Sequence, residues 1–266
     1  MHPIEQLRYV ARASGADAGL LVQEAASALS VFRNDPAGLV TASRRLLTRQ
    51  PAVGPLWWMC GRLALAADSW SEARLVIEEL RGDRTDRELA HALPDGATVV
   101  VSGWPDTIGD ALPRRGDVSV LVIDVEGQGS PLVRRLERAE VEAEEVDAAR
   151  TAGAVQDADV VLIEAAAAGP SAALTDLGAL MLAATAKAVG TPVWLVAGVG
   201  RLLPEPYWQA VVERTVARDE LAWLGDHDVV AYGLVDRIVT NDGLLLPAEL
   251  PPSAYAVASE LLRELS

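Results

Sequence analysis

The stretch that decides the fold runs from Asp159 to Pro204, DVVLIEAAAAGPSAALTDLGALMLAATAKAVGTPVWLVAGVGRLLP. Val160–Ile163 reads as a short apolar strand, Gly169–Thr175 as a Gly/Ser/Thr turn and Asp176–Val189 as a helix. Val193–Ala197 is a second strand and ends in Gly198-Val199-Gly200-Arg201. This is a complete βαβ unit. Both of its linkers leave the carboxyl ends of their strands, where open α/β sheets place their ligands.

The same alternation extends outward from this unit. Thr98–Val101, Ser119–Ile123, Val141–Glu145, Asp228–Ala231 and Arg237–Val239 also read as strands, with helical segments between most of them. That pattern predicts a parallel sheet with helices on its faces. A final helix is expected at Ser253–Leu265. The short run Ala165–Ala168 reads as part of a turn.

Upstream, residues 3–92 carry a helical period instead. Leu20, Leu21, Glu24, Ala25, Ala28, Leu29 and Phe32 follow the i, i+3, i+4 recurrence. Asp35-Pro36 reads as a cap and first-turn proline, opening a helix through Leu47; Gly54-Pro55 opens an apolar one with Trp57, Trp58, Met59 and Leu63. Ser69-x-x-Glu72 and Thr85-x-x-Glu88 fit the capping box, so two more helices should follow. The period changes at Leu93-Pro94-Asp95-Gly96. The expected organisation is a helical domain over residues 1–93 and an α/β domain over residues 94–266.

Composition narrows the function classes. A net charge of −15 argues against a nucleic-acid or anionic-membrane surface, either of which needs a basic field. The one cysteine, Cys60, rules out an intramolecular disulfide and a cysteine-based zinc cluster. It lies beside Trp58 and Met59 on an apolar helix, the setting of a buried small hydrophobe. No run of about 18 apolar residues and no leader-like opening appear, so the expected localisation is cytoplasmic. Asp226-His227-Asp228 looks like a turn entering a strand, with no second His to complete a metal site. Gly198-x-Gly200 lacks the third glycine of a dinucleotide fingerprint. No cofactor or metal is expected.

The 159–201 segment resembles a family that joins the subunits of translation initiation factor 2B to methylthioribose-1-phosphate and ribose-1,5-bisphosphate isomerases. There the stretch reads roughly VLVGAD, a short loop, NKIGT, a helix, then a strand after a small-Pro pair. Thr48–Trp58, TRQPAVGPLWW, is similar to the family's basic residue, Pro, small stretch and Pro-Leu opening a helix. The resemblance implies a helical N-terminal domain, a Rossmann-like, mainly parallel sheet domain, and a homodimer paired through the α/β domains.

The resemblance also places the isomerases' chemistry on particular positions. Their cysteine, in a stretch like ILTHC, falls on Gly103 after Val99-Val100-Val101-Ser102. Their GAD aspartate falls on Ala166 if Glu164-Ala165-Ala166 is the matching triplet, and their Asn-Lys pair falls on Thr175 and Asp176. Their Glu-Ser-Arg stretch falls on Asp124-Val125-Glu126, and Thr107 matches a Thr of the first loop. Glycine has no proton to give and alanine cannot act as a base. Two cationic positions have also become anionic.

Two readings follow. One is a non-catalytic protein of the initiation-factor-2B type, acting through metabolite binding or assembly. The other is a sugar-phosphate isomerase with a relocated acid/base site among Asp106, Asp124, Glu164 and Asp176. Candidate ligand-binding residues are Ser102, Gly103, Thr107, Asp124, Glu164, Thr175, Asp176 and Arg201. A small phosphorylated metabolite, if bound, is expected where Thr175, the N–H groups opening the Asp176 helix, and Arg201 converge. The alternative for Thr175 and Asp176 is simple helix capping, and for Arg201 a solvated surface site.

Overall fold

The computed structural model describes residues 18–216, 224–253 and 255–263. Five helices come first: α1 (Ala18–Leu29), α2 (Pro36–Arg49), α3 (Gly54–Leu65), α4 (Ser69–Arg81) and α5 (Thr85–Ala92). Asp35 caps α2 as expected, its carboxylate accepting from the Gly38 N–H at 2.9 Å with Pro36 in the first turn. The two capping boxes are not formed. Asp68 caps α4 by accepting from the Trp70 N–H at 3.1 Å, while Glu72 pairs with Arg62 at 2.5 Å. Ahead of α5, Asp83 accepts from the Thr85 N–H at 2.9 Å and from its hydroxyl at 2.6 Å. In each case an aspartate lies just upstream, and its shorter side chain reaches the free N–H groups without help from a glutamate.

The remainder is a sheet built from β1 (Thr98–Ser102), β2 (Ser119–Asp124), β3 (Glu142–Asp147), β4 (Val160–Ala168), β5 (Ala172–Asp176), β6 (Val193–Val196), β7 (His227–Ala231), β8 (Arg237–Thr240) and β9 (Gly243–Leu245). The main path is β3-β2-β1-β4-β6-β8-β9, parallel except for the antiparallel β8–β9 pair. Its crossovers carry α6 (Asp106–Arg115), α7 (Gly129–Arg138), α8 (Thr151–Asp157), α9 (Ala179–Val189) and α10 (Glu205–Thr215). The order reverses between β1 and β4, which is the switch point where a doubly wound sheet opens a crevice.

The decisive stretch differs from its sequence reading between Ala165 and Ala179. Ala165–Ala168 is not a turn but the second half of β4, and residues 172–176 return as β5, antiparallel to β4 and to β7. The unit is therefore ββαβ: one more strand, β5, forms a hairpin with β4 before α9 begins. Gly169 makes this hairpin possible, because a Cβ there would lie 2.3 Å from the Trp208 ring. The register shifts between Ala165 and Ala167, a bulge that leaves Ala167 in the core beneath the helical region while Ala165 and Ala168 face α9.

Side-chain alternation distributes the core. Val99 and Val101 of β1 join Val160 and Leu162 of β4 under α5, α6 and α7. Val100, Val161 and Ile163 point the other way, to Val155, Leu182, Ala183 and Ala186 of α8 and α9. A third cluster gathers Leu29, Leu47, Trp57, Trp58, Met59 and Leu63 with Leu174, Tyr207 and Trp208, so the helical region and the sheet region share apolar contacts. Trp57 and Trp58 are wholly inside the chain. At the C-terminus the expected long helix is absent. Only Ser259–Leu262 forms a 3₁₀ turn, tied down where the Ala258 N–H donates to the Tyr207 hydroxyl at 2.7 Å, and Ala254 and residues 264–266 lie outside the described residues. Among the described residues no helix is long and apolar enough to cross a membrane.

Candidate functional site

The carboxyl ends of β1, β2, β4 and β6 and the end of β5 surround a cavity of about 940 Å³. It is walled by the β1 loop (Gly103, Trp104, Pro105, Asp106), the β2 loop (Val125, Glu126, Gln128), Glu164 and Ala166 of β4, Asp176 and Leu177, Arg201, and Asp226 with His227. The helical region contributes Arg49 and the Pro51–Val53 turn. A smaller hollow of about 250 Å³ lies beyond it and includes Asp106, Thr107 and Arg201.

The centre of the site is an ion pair. Arg201 follows the Gly198-Val199-Gly200 turn, where Gly200 adopts φ +79° and a Cβ would lie 2.9 Å from the Trp58 ring, so the turn there calls for glycine. Arg201 is 9% exposed. Its guanidinium donates to the Glu164 carboxylate at 2.7 Å and to the Ala165 carbonyl. Glu164 accepts twice more, from the Thr107 hydroxyl at 2.9 Å and from the Ile108 N–H at 3.1 Å. The carboxylate thus sits over the first turn of α6, where free N–H groups and the helix dipole favour negative charge. Arg201 is neither a solvated surface side chain nor a free anion ligand.

The helix N-terminus expected near Thr175 is arranged differently as well. The helix starts at Ala179, after Gly178 in a left-handed turn with φ +94°. Its free N–H groups are occupied: Gly178 and Leu180 both donate to the Asp228 carboxylate, at 2.9 and 3.0 Å. Asp228 belongs to β7, two strands away from β4, so it reaches α9 only through the sheet pairing. Thr175 is fully buried, and its hydroxyl donates to the Asp228 carbonyl at 3.3 Å. Thr175 and Asp176 therefore end a strand and do not cap a helix.

The other candidates divide between wall and scaffold. Gly103, Glu164, Asp176 and Arg201 meet at the large cavity, and Thr107 reaches it only through Glu164. Ser102 is half-buried at the end of β1. Asp124 accepts from the Gly129 N–H at 2.8 Å, fixing the β2 loop, and is not part of the wall. Asp176 stands opposite His227 in the β5–β7 ladder. Its pKa is raised, first because the cavity walls displace water from around it; His227 and Arg201 work against this and Glu164 with it. Asp176 has no hydrogen-bond or ion-pair partner among the described residues. No group of three or more His, Cys, Asp or Glu with metal-binding geometry occurs among them either.

The sequence reading passed over Asp228, Asp226 and His227 as site-forming residues. Their signal was weak, since their proximity to Asp176 depends on a cross-sheet pairing between segments about fifty residues apart.

No family model matches this sequence, and no curated protein does. Solved structures do. A Pyrococcus horikoshii OT3 translation initiation factor eIF-2B superposes with a TM-score of 0.74 at 17% identity, over 92% of this chain and 97% of that one. The fold is that of the eIF2B subunits. The tetrameric eIF2B-beta2-delta2 complex from C. thermophilum gives a TM-score of 0.73 at 18% identity, covering 93% of this chain and 91% of that chain. Chaetomium thermophilum eIF2B beta gives 0.69, also at 18% identity. The eIF2B-like fold thus extends over nearly the whole chain.

Proposed function

We propose that this chain is a non-catalytic protein of the initiation-factor-2B type, working in the cytoplasm through binding of a small metabolite or through assembly. One observation carries the reading. Gly103 and Ala166, the positions that the resemblance assigns to the isomerases' proton-transfer groups, both line the large cavity and bring no titratable atom to it. Losing both groups removes effects of about 10² to 10⁴ each in rate. The remaining wall carboxylate closest to Arg201 is held in three hydrogen bonds and cannot swing to a substrate without breaking them.

Assembly is the second half of the reading. The β2-δ2 neighbour is a tetramer by its own description, which supports pairing of this chain as a homodimer. Trp57 and Trp58 are unavailable for it, but α9 presents Leu180, Met181 and Val189 outward. The charge of −15 fits a role without nucleic acid or membrane.

The test is ³¹P NMR of methylthioribose-1-phosphate and ribose-1,5-bisphosphate incubated with the full chain and with a heat-denatured control. Equal rates are expected, and turnover above the control refutes the reading. Light scattering at micromolar concentration should give twice the 28.2 kDa chain mass; a monomer at every concentration refutes the dimer.

A further inference from the structure

The main path of the sheet ends in two edge strands, and the chain guards them differently. β9 at one end is only Gly243–Leu245, too short to template another strand. β3 at the other end, Glu142–Asp147, keeps unbroken parallel register with β2 along its whole length, from Ser119 opposite Glu142 to Asp124 opposite Asp147. It has no proline, glycine, lysine or bulge, the usual means of closing an edge. Its side facing away from β2 pairs with no strand among the described residues. What it carries instead is negative charge. The period of two puts Glu142 and Glu144 on one face and Glu145 and Asp147 on the other, while Ala143 and Val146 pack against the helices. Glu142 accepts from the Ser119 hydroxyl at 2.6 Å, Glu145 from the Ser130 hydroxyl and Asp147 from the Ala149 N–H at 2.8 Å. None of these donors neutralises the charge. Arg134 and Arg138 of α7 and Arg150 beyond the strand are exposed, and among the described residues none forms an ion pair with a β3 carboxylate.

We propose that the β3 edge is a docking surface for an extended, Lys/Arg-bearing segment of another protein, which adds to the sheet as a further strand. The backbone N–H and C=O groups along the open edge supply the pairing, and the carboxylates on both faces select what pairs. Like charges set opposite each other across two strands destabilise the pair, and opposite charges stabilise it. A second copy is therefore the wrong occupant: β3 against β3 would bring Glu142, Glu144, Glu145 and Asp147 of each chain together, on molecules of net charge −15. An acidic guard closes the edge to copies of this chain and leaves it open to a basic strand, whereas a proline or a bulge would close it to both. The inference goes beyond the metabolite and homodimer readings above and is independent of both.

The experiment titrates the full chain into a fluorescein-labelled octapeptide, TKKVKKVT, and follows anisotropy at about 0.15 M salt, where diffuse surface attraction is screened. The same peptide N-methylated along its backbone keeps the charge and cannot pair as a strand. The plain peptide is expected to bind once per chain, and the N-methylated one about tenfold more weakly or worse. Hydrogen-exchange mass spectrometry of the complex should show slowed amides across Glu142–Asp147. Glu144→Lys should weaken the peptide about fivefold or more by reversing an exposed cross-strand partner. Glu78→Lys makes the same change in net charge on α4 of the helical region and should leave binding nearly unchanged. The proposal is overturned if the peptide does not bind or if exchange slows only outside β3. It is equally overturned if the N-methylated peptide binds as well, or if Glu78→Lys weakens binding as much as Glu144→Lys, since both mark diffuse attraction to an acidic chain. A peptide-induced halving of the mass seen by light scattering would assign the edge to a second copy and overturn it too.

Discussion

Replacing the two members of the Glu164–Arg201 pair, singly and together, separates a structural ion pair from a ligand site. Their side chains are 9% and 11% exposed, so neither charge has enough water to fall back on. Arg201→Met leaves the Glu164 carboxylate buried with the Thr107 hydroxyl and Ile108 N–H as its remaining donors. Breaking a buried pair in this way costs about 3–5 kcal/mol. Glu164→Leu should cost at least as much, because it strands the guanidinium and also removes the acceptor of the Ile108 N–H in the first turn of α6, a loss of about 1–3 kcal/mol for a buried group. The double variant has no buried charge left and should lose only about 1–3 kcal/mol, the orphaned N–H. The singles therefore sum to well above the double, with a coupling energy of several kcal/mol. Urea unfolding followed by tryptophan fluorescence reads all four proteins. Because the pair is buried, the coupling should persist at 0.5 M salt, where surface pairs are screened. Singles that each lose under about 1 kcal/mol, or that add to the double, would show that Arg201 is solvated and the pair incidental.

Three further outcomes follow from the same geometry. Asp228→Ala should destabilise the chain by about 1–2 kcal/mol by exposing the start of α9, and Asp228→Asn should recover part of it, both read by urea midpoints. Cys60, buried with its thiol pushed up to about 12 by loss of water, should resist iodoacetamide at pH 8 in the folded chain and react fully in denaturant. Asp176→Asn should raise the melting temperature at pH 7.5: a carboxyl whose folded pKa is raised contributes stability that is present at low pH and lost as pH rises through that value. The advantage of the Asn variant should therefore shrink as pH falls through the carboxylate range, and a constant or growing advantage would contradict it.

Most of the architecture was legible from residues 93 onward because strands and helices alternate with clean periods, and buried parallel strands such as Val99-Val100-Val101 leave no doubt about their class. The hairpin was not legible. Ala165–Ala168 has no side-chain pattern to mark a strand, and Gly169-Pro170-Ser171 reads as a turn whichever structure surrounds it. The bulge and β5 exist because Leu174 and Ala167 find the helical core and β7 completes the ladder, facts of packing between distant segments. The same holds for the α4 and α5 caps, where two acceptors competed and proximity chose the aspartates.

By itself, then, the sequence determined the order of the parallel strands, the position of the switch-point loops, the fate of Cys60 as an interior residue and the replacement of the resemblance's proton-transfer groups by Gly103 and Ala166. These depend on local period and on what an atom can chemically do. Tertiary structure alone decided the charge of the site. Arg201 is silenced by Glu164 across thirty-odd residues of chain, and the α9 terminus by Asp228 from a strand still further away. A charge's availability is set by whichever group reaches it first in three dimensions, and no local reading of the chain carries that distance.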